Sequence, residues 1–268
     1  MAKLGEQSVG SVVKLNVSGM ARNFIVVQQG LPSSDYDSSC NGTWLLMQDI
    51  YNTSIWDSSS SDYENSDIHA YLNNTFINLF DDDVREAIIQ AKIPYTKGAG
   101  VNGSVFSGQS GLSAKSFLLS AKEVGGDVTN QSSYHQEGAV LEYFKESAKS
   151  KRIAKLNGTN EKWWLRTPVT RNTNEAWYVN AYGLIYWGSV GQDQNFVTYS
   201  RGVRPALMLP LDLSVDDDGN VIAKSFSGFA NIGGANKELS DGYVNIGGAW
   251  KEISGAYMNV NGVWKPMT

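Results

Sequence analysis

The chain has 268 residues, 41% hydrophobic and 18% charged, with a net charge of −5, enough length to bury a core in one large domain or two modest ones. An acidic balance argues against general binding to a nucleic-acid backbone, and the single cysteine, Cys40, excludes an intramolecular disulfide or a cysteine-rich zinc site. No apolar run reaches the ~20 residues of a membrane-spanning helix, and the start MAKLGEQSVGSVVKL lacks a signal-peptide core, so a soluble protein made without a standard export signal is expected.

Residues 12–17 (VVKLNV) and 23–28 (NFIVVQ) are predicted as two strands joined by a Ser18-Gly19 turn. A polar loop over 32–41 leads to a short apolar strand at 43–48 (TWLLMQ). Residues 52–66, rich in Ser, Asn and Asp, read as a loop that ends in a helix cap. Ser66 and Asp67 open the helix, and Ile68, Tyr71, Leu72 and Phe76 fall near helical spacing. Asp81, Asp82 and Asp83 start a second helix, with acidic groups at the positive end of its dipole. Its buried stripe is Val84, Ala87, Ile88 and Ala91, and Pro94 stops it. Residues 96–111 read as a Gly/Ser loop, 117–120 as a central strand, 139–144 as a short helix, and 149–155 as a basic exposed run. Strands with two or three helices and no regular alternation make an α+β pattern.

The stretch 169–201 is composed differently from its flanks. Seven of its 33 residues are aromatic (Trp177, Tyr178, Tyr182, Tyr186, Trp187, Phe196 and Tyr199), and only four are charged. Tyr and Trp mixed with Asn, Ser, Gln and Gly is the composition of antibody-like paratopes, where rigid rings supply contact area and short polar groups supply adaptable hydrogen bonds. The candidate binding residues are therefore Arg171, Asn172, Asn174, Trp177, Tyr178, Asn180, Tyr182, Tyr186, Trp187, Gln192, Asp193, Asn195, Phe196 and Tyr199. These aromatic rings are expected to be at least partly accessible and close together. The competing reading is an ordinary strand-rich core segment. WWLRTP (163–168) and GVRPALMLP (202–210) bracket the stretch, and Arg166 and Arg204 in these apolar brackets need partners, most simply backbone carbonyls or carboxylates.

Residues 228–241, 242–255 and 256–268 are three copies of a roughly 14-residue unit, with Asn231, Asn245 and Asn259 in register, as are Lys237, Lys251 and Lys265. Each unit reads as strand, Gly-Gly or Asn-Gly, strand, because such pairs tolerate the positive φ angles of a tight hairpin turn. Isolated hairpins are marginal in water, so stacking or association between chains is expected to bury Ile232, Ile246, Trp250, Val260 and Trp264.

Chemistry-bearing motifs are sparse. Gly98, Gly100 and Gly103 spell GxGxxG, but the Gly/Ser-rich continuation opens a helix poorly, which argues against a dinucleotide site. Aligning Gly219 with the obligatory glycine of a calcium loop puts Ser214 and Ser225 where carboxylates are needed. A calcium site built from distant loops stays open. His69 and His135 have no ligand-spaced neighbours, and no nucleophile elbow is present. The expectation is therefore no enzyme, no cofactor and no resident metal.

The brackets WWLRTP and GVRPAL, with AYLNNTFINLF (70–80) and FLLSAKEVG (117–125) in the same order, resemble a domain of unknown function common in gut Firmicutes and their phages. That domain is in turn similar to C-type-lectin-fold proteins whose binding face is diversified by retroelements. The resemblance covers roughly residues 8–212 and implies a C-type-lectin-like mixed fold that displays a variable ligand-binding face. The C-terminal units look like the strand-GG-strand repeats of tail-associated proteins of phages infecting Gram-positive bacteria. Together these imply a recognition domain at 1–212 and a hairpin-repeat region at 213–268. The implied protein binds a host or bacterial cell-surface protein or glycan, works in a virion or at an extracellular surface, and is a homo-oligomer, with a trimer favoured. The alternative is a structural tail or assembly component whose aromatic segment is merely core.

Overall fold

The computed structural model describes residues 2–126, 135–146, 148–170, 172–186 and 196–223, and the strands of three hairpins between 228 and 266. The chain divides into two compact units, Met1–Val221 and Ile222–Thr268. The first is a mixed fold of small sheets and short helices. Its elements begin with β1 (Ala2–Lys3), β2 (Val12–Val17), β3 (Met20–Gln29), β4 (Thr43–Met47) and β5 (Asn52–Ser54). Two helices follow, α1 (Asp67–Asn74) and α2 (Asp82–Ala87), and then β6 (Ala91–Ile93), β7 (Tyr95–Lys97), β8 (Ser104–Phe106), β9 (Leu112–Ala114) and β10 (Ser116–Phe117). After α3 (Ala148–Lys151) come β11 (Lys155–Leu156), β12 (Thr159–Asn160), β13 (Trp163–Pro168), β14 (Ala176–Val179) and β15 (Ile185–Tyr186). The unit closes with β16 (Arg201–Val203), β17 (Ala206–Leu209), β18 (Ser214–Val215) and β19 (Val221–Ile222).

One five-stranded sheet runs β10-β17-β4-β3-β2, antiparallel throughout. Its central strands TWLLM and ALML are buried along their whole length, so they read as unbroken apolar runs where a half-exposed strand would alternate. Ser18 (φ 53) and Gly19 (φ 71) turn β2 into β3, the positive-φ pair that a tight two-residue hairpin requires. The second five-stranded sheet, β15-β14-β13-β16-β5, carries the candidate segment. Its β13 and β16 are parallel and its other pairs antiparallel.

Several local expectations shift. Ser66 Oγ accepts from His69 N at 3.2 Å and caps α1, but that helix ends at Asn74, and residues 76–79 form a 3-10 turn. The second helix stops at Ala87, well before Pro94, and Ala91 enters strand β6. The expected central strand at 117–120 is only the two-residue edge β10, while Leu118, Leu119 and Ser120 are buried irregular chain. Residues 139–144 supply a single 3-10 turn, Glu142–Phe144. The stretch 96–111 contains the hairpin of β7 and β8, so a strand follows GxGxxG.

The sequence expectation groups residues 213–221 with the repeats. They instead join the first unit, where Ala2 and Lys3 pair with Val215 and Ser214 and Lys14 Nζ donates to Asp218 O at 2.8 Å. Within that stretch the Asp216 carboxylate accepts from Asp218 N and Asn220 N, a local turn.

In the second unit each repeat forms one antiparallel hairpin: β20 (Gly228–Ile232) with β21 (Ala235–Leu239), β22 (Tyr243–Ile246) with β23 (Ala249–Glu252), and β24 (Tyr257–Val260) with β25 (Val263–Pro266). Asn231, Asn245 and Asn259 sit opposite Asn236, Trp250 and Trp264 at the same register position. The side chains expected to be buried there lie outside the described residues.

Candidate binding surface

Buried arginines hold the frame under the aromatic segment. Arg166 and Glu123 are fully buried, and the guanidinium grips the carboxylate twice, Nη1 to Oε2 at 2.6 Å and Nη2 to Oε1 at 2.7 Å. Arg166 also donates to Pro94 O and Leu118 O, both at 2.9 Å, and Glu137 Oε2 lies 3.9 Å from its Nε. Burial by itself would loosen the guanidinium's proton. Glu123 first, and Glu137 after it, outweigh that and hold Arg166 protonated beyond the ordinary arginine range. The carboxylates are satisfied on their other sides by Tyr36 Oη and Ser120 N on Glu123, and by Thr96 N and the Thr167 hydroxyl on Glu137. Tyr36 is held protonated above its usual range, first by burial and then by Glu123.

Arg204 is equally buried but forms no ion pair with a carboxylate among the described residues. It donates to Met47 O at 2.9 Å and Gln48 O at 3.0 Å, over the Trp163 ring. Burial pulls it down to about 10, which leaves it charged at neutral pH. Arg201 lies over two rings, 3.9 Å from the Tyr178 centroid and 5.0 Å from that of Trp164. The brackets are thus structural, locking loops and strands that are far apart in sequence.

The expectation that the aromatic residues form one accessible cluster does not hold. Trp177 and Tyr178 are core residues at 0% and 1% exposure, because β14 is the middle partner of β13 and β15 and is covered on both faces. Neither is an available binding residue. Tyr186 is half-buried and stacks on Tyr178, with centroids 6.2 Å apart. Arg171, Trp187, Gln192, Asp193 and Asn195 lie outside the described residues. What remains exposed falls at two ends of one hairpin. At the base, Phe196 bridges to Glu175, and Tyr199, 46% exposed, stacks on Phe196. Asn172 and Asn174 are half-buried there, the Asn172 carboxamide accepting from Asn174 N at 3.3 Å. At the tip, Asn180 Oδ1 accepts from Tyr182 N and Leu184 N, both at 3.0 Å, and Tyr182 stands 73% exposed. Five strand residues at ~3.3 Å each put the two ends about 16 Å apart.

The tip borders an open cavity of about 370 Å³, lined by Ala148, Lys149, Ser150, Ile153 and Tyr182. Sequence reasoning missed the α3 wall, because a basic run signals only exposure. Arg152, inside that run, is buried and donates through Nε to Gly183 O at 2.7 Å and through Nη1 to Val124 O at 2.9 Å. It pins the tip against α3.

Residues 41–211, well over half the chain, match the model of a domain of unknown function, DUF6273. The chain belongs to the DUF6273 family. No curated protein and no solved structure gives a significant match. The DUF6273 match takes in Arg166, Glu123 and Glu137, both brackets and both hairpin ends, and leaves out Tyr36, β2, β3 and the hairpin repeats. Among the described residues no group of three His, Cys, Asp or Glu is placed to hold a metal ion. Also among the described residues, no helix is long and apolar enough to cross a membrane. The Cys40 thiol is buried and pushed up to about 12 by burial, Glu123 and Asp37, so it is a poor nucleophile.

Proposed function

We propose that the first unit is a non-enzymatic recognition domain with a C-type-lectin-like scaffold, and that it contacts a protein or glycan on a host or bacterial cell surface. The observation that carries this reading is the display of Tyr182 and Tyr199 in water at two ends of a hairpin whose frame is locked by buried arginines. Large exposed rings on a rigid support lower the ordering cost of binding. Contact points at the two ends of a strand roughly 16 Å long suit a macromolecular surface better than a small metabolite. The hairpin repeats would carry this domain within an oligomer, with a trimer favoured, in a phage tail or at a cell surface.

The test is saturable binding of fluorescently labelled full-length protein to a panel of Gram-positive cells, repeated with Tyr182→Ala and Tyr199→Ala. Loss of binding in at least one variant is expected. Saturable binding that survives both substitutions together would move the receptor site elsewhere, and no saturable binding by the unmodified protein would favour an assembly component whose aromatic segment is core.

A further inference from the structure

We infer that the cavity between Tyr182 and α3 receives a large apolar side chain of a protein partner, with an adjacent carboxylate of that partner paired to Lys149. This rests on the recognition reading above and names the partner chemistry for the hairpin tip. A volume of about 370 Å³ is ample for a bulky inserted side chain.

The lining argues against a sugar. Ala148, Ile153 and Tyr182 make the lining mostly apolar, and among the described residues no carboxylate, carboxamide or guanidinium lines the cavity to replace the water lost by vicinal hydroxyls. An apolar side chain has no such loss.

Charge selects what flanks the anchor. Lys145 is paired with Glu142, and Lys151 lies over the Tyr143 ring at 5.0 Å. Lys149 is exposed on the cavity wall and makes no ion pair with another described residue, in a chain whose net charge is −5. A carboxylate next to the anchor complements this cation. The site is also fixed before binding. The Tyr182 backbone N–H donates to Asn180 Oδ1, Gly183 takes φ +78, and a Cβ at Gly183 would lie 1.9 Å from Lys149 O, so the tip and the α3 wall touch directly. A Tyr on a fixed backbone beside a pocket is among the residues enriched at interface hot spots.

The experiment selects a randomised peptide library against full-length protein and measures the enriched peptides by fluorescence anisotropy. Enriched sequences should carry Leu, Phe, Trp or Met next to Asp or Glu. Tyr182→Ala should weaken them roughly tenfold or more, as for a hot-spot residue. Lys149→Ala should weaken them about two- to fivefold, as for an exposed ion pair, and Lys149→Glu should shift the preference to Lys or Arg beside the anchor. Both residues are exposed, so melting temperatures should not change. Enriched peptides without the apolar–acidic pair, binding indifferent to Tyr182→Ala, or displacement of the peptides by neutral N-acetylglucosamine oligomers would each overturn the inference. Cell binding that is lost with Tyr199→Ala but unaffected by changes at Tyr182 and Lys149 would overturn it while leaving the recognition function standing.

Discussion

Replacing Arg166 with Met should be among the most damaging single changes to the first unit. The guanidinium makes four hydrogen bonds, two to Glu123 and one each to Pro94 O and Leu118 O, at full burial. Met fills similar volume but leaves the Glu123 carboxylate with only Tyr36 Oη and Ser120 N, and leaves two carbonyls without this donor. Removing one partner of a buried pair costs about 3–5 kcal/mol, because the other charge stays behind without compensation. At roughly 2–4 °C per kcal/mol for a unit of this size, the melting temperature should fall by about 6–20 °C. Circular dichroism melts of the full chain, with urea unfolding as the second measure, would report it. Arg166→Lys keeps the charge but loses the two-pronged grip, and should fall between wild type and Met. A loss below about 1 kcal/mol in Arg166→Met would refute the view that this network locks the frame.

Burial holds His69 down to about 4 from an ordinary 6.5, so the folded state resists its protonation while the unfolded state accepts it. Stability from this group is complete above about pH 6.5 and is lost as pH falls towards about 4; urea midpoints across that window should flatten in His69→Gln. Gly183→Ala should destabilise more than Gly19→Ala. Both positions have positive φ, worth about 1–2 kcal/mol, but a methyl at Gly183 also meets Lys149 O at 1.9 Å while nothing lies within 4 Å at Gly19, and equal melting temperatures would contradict this. A chain ending at Ile222 should keep the first unit's melting temperature, whereas one ending at Leu213 should lower it by removing the strand that pairs with Ala2 and Lys3. Light scattering on the same proteins tests the proposed assembly: full-length protein should be oligomeric and the Ile222 truncation monomeric.

Local features were legible from sequence where the deciding interactions are close along the chain. The Ser18-Gly19 turn needs positive φ angles that few residue pairs tolerate, and Ser66 caps α1 through a donor three residues away. The three repeats announce their hairpins in the same way, each turn pair marking its own register. The need of Arg166 and Arg204 for partners was also readable, since a guanidinium within an apolar run must be satisfied. That Glu123, together with the carbonyls of Pro94 and Leu118, answers Arg166 was not, because 43 residues separate Arg166 from Glu123 and more from the carbonyls.

The binding surface was decided by tertiary structure. Composition marks 169–201 as aromatic and polar but cannot say which rings face water. Trp177 and Tyr178 point to opposite faces of β14 and are buried because both faces are covered, and Tyr182 is exposed because Asn180 closes a turn at the strand's end. The cavity beside it depends on Arg152 drawing Gly183 onto α3 across 31 residues. Sequence fixes what a residue can do through its neighbours in the chain; burial and partnership are properties of neighbours in space.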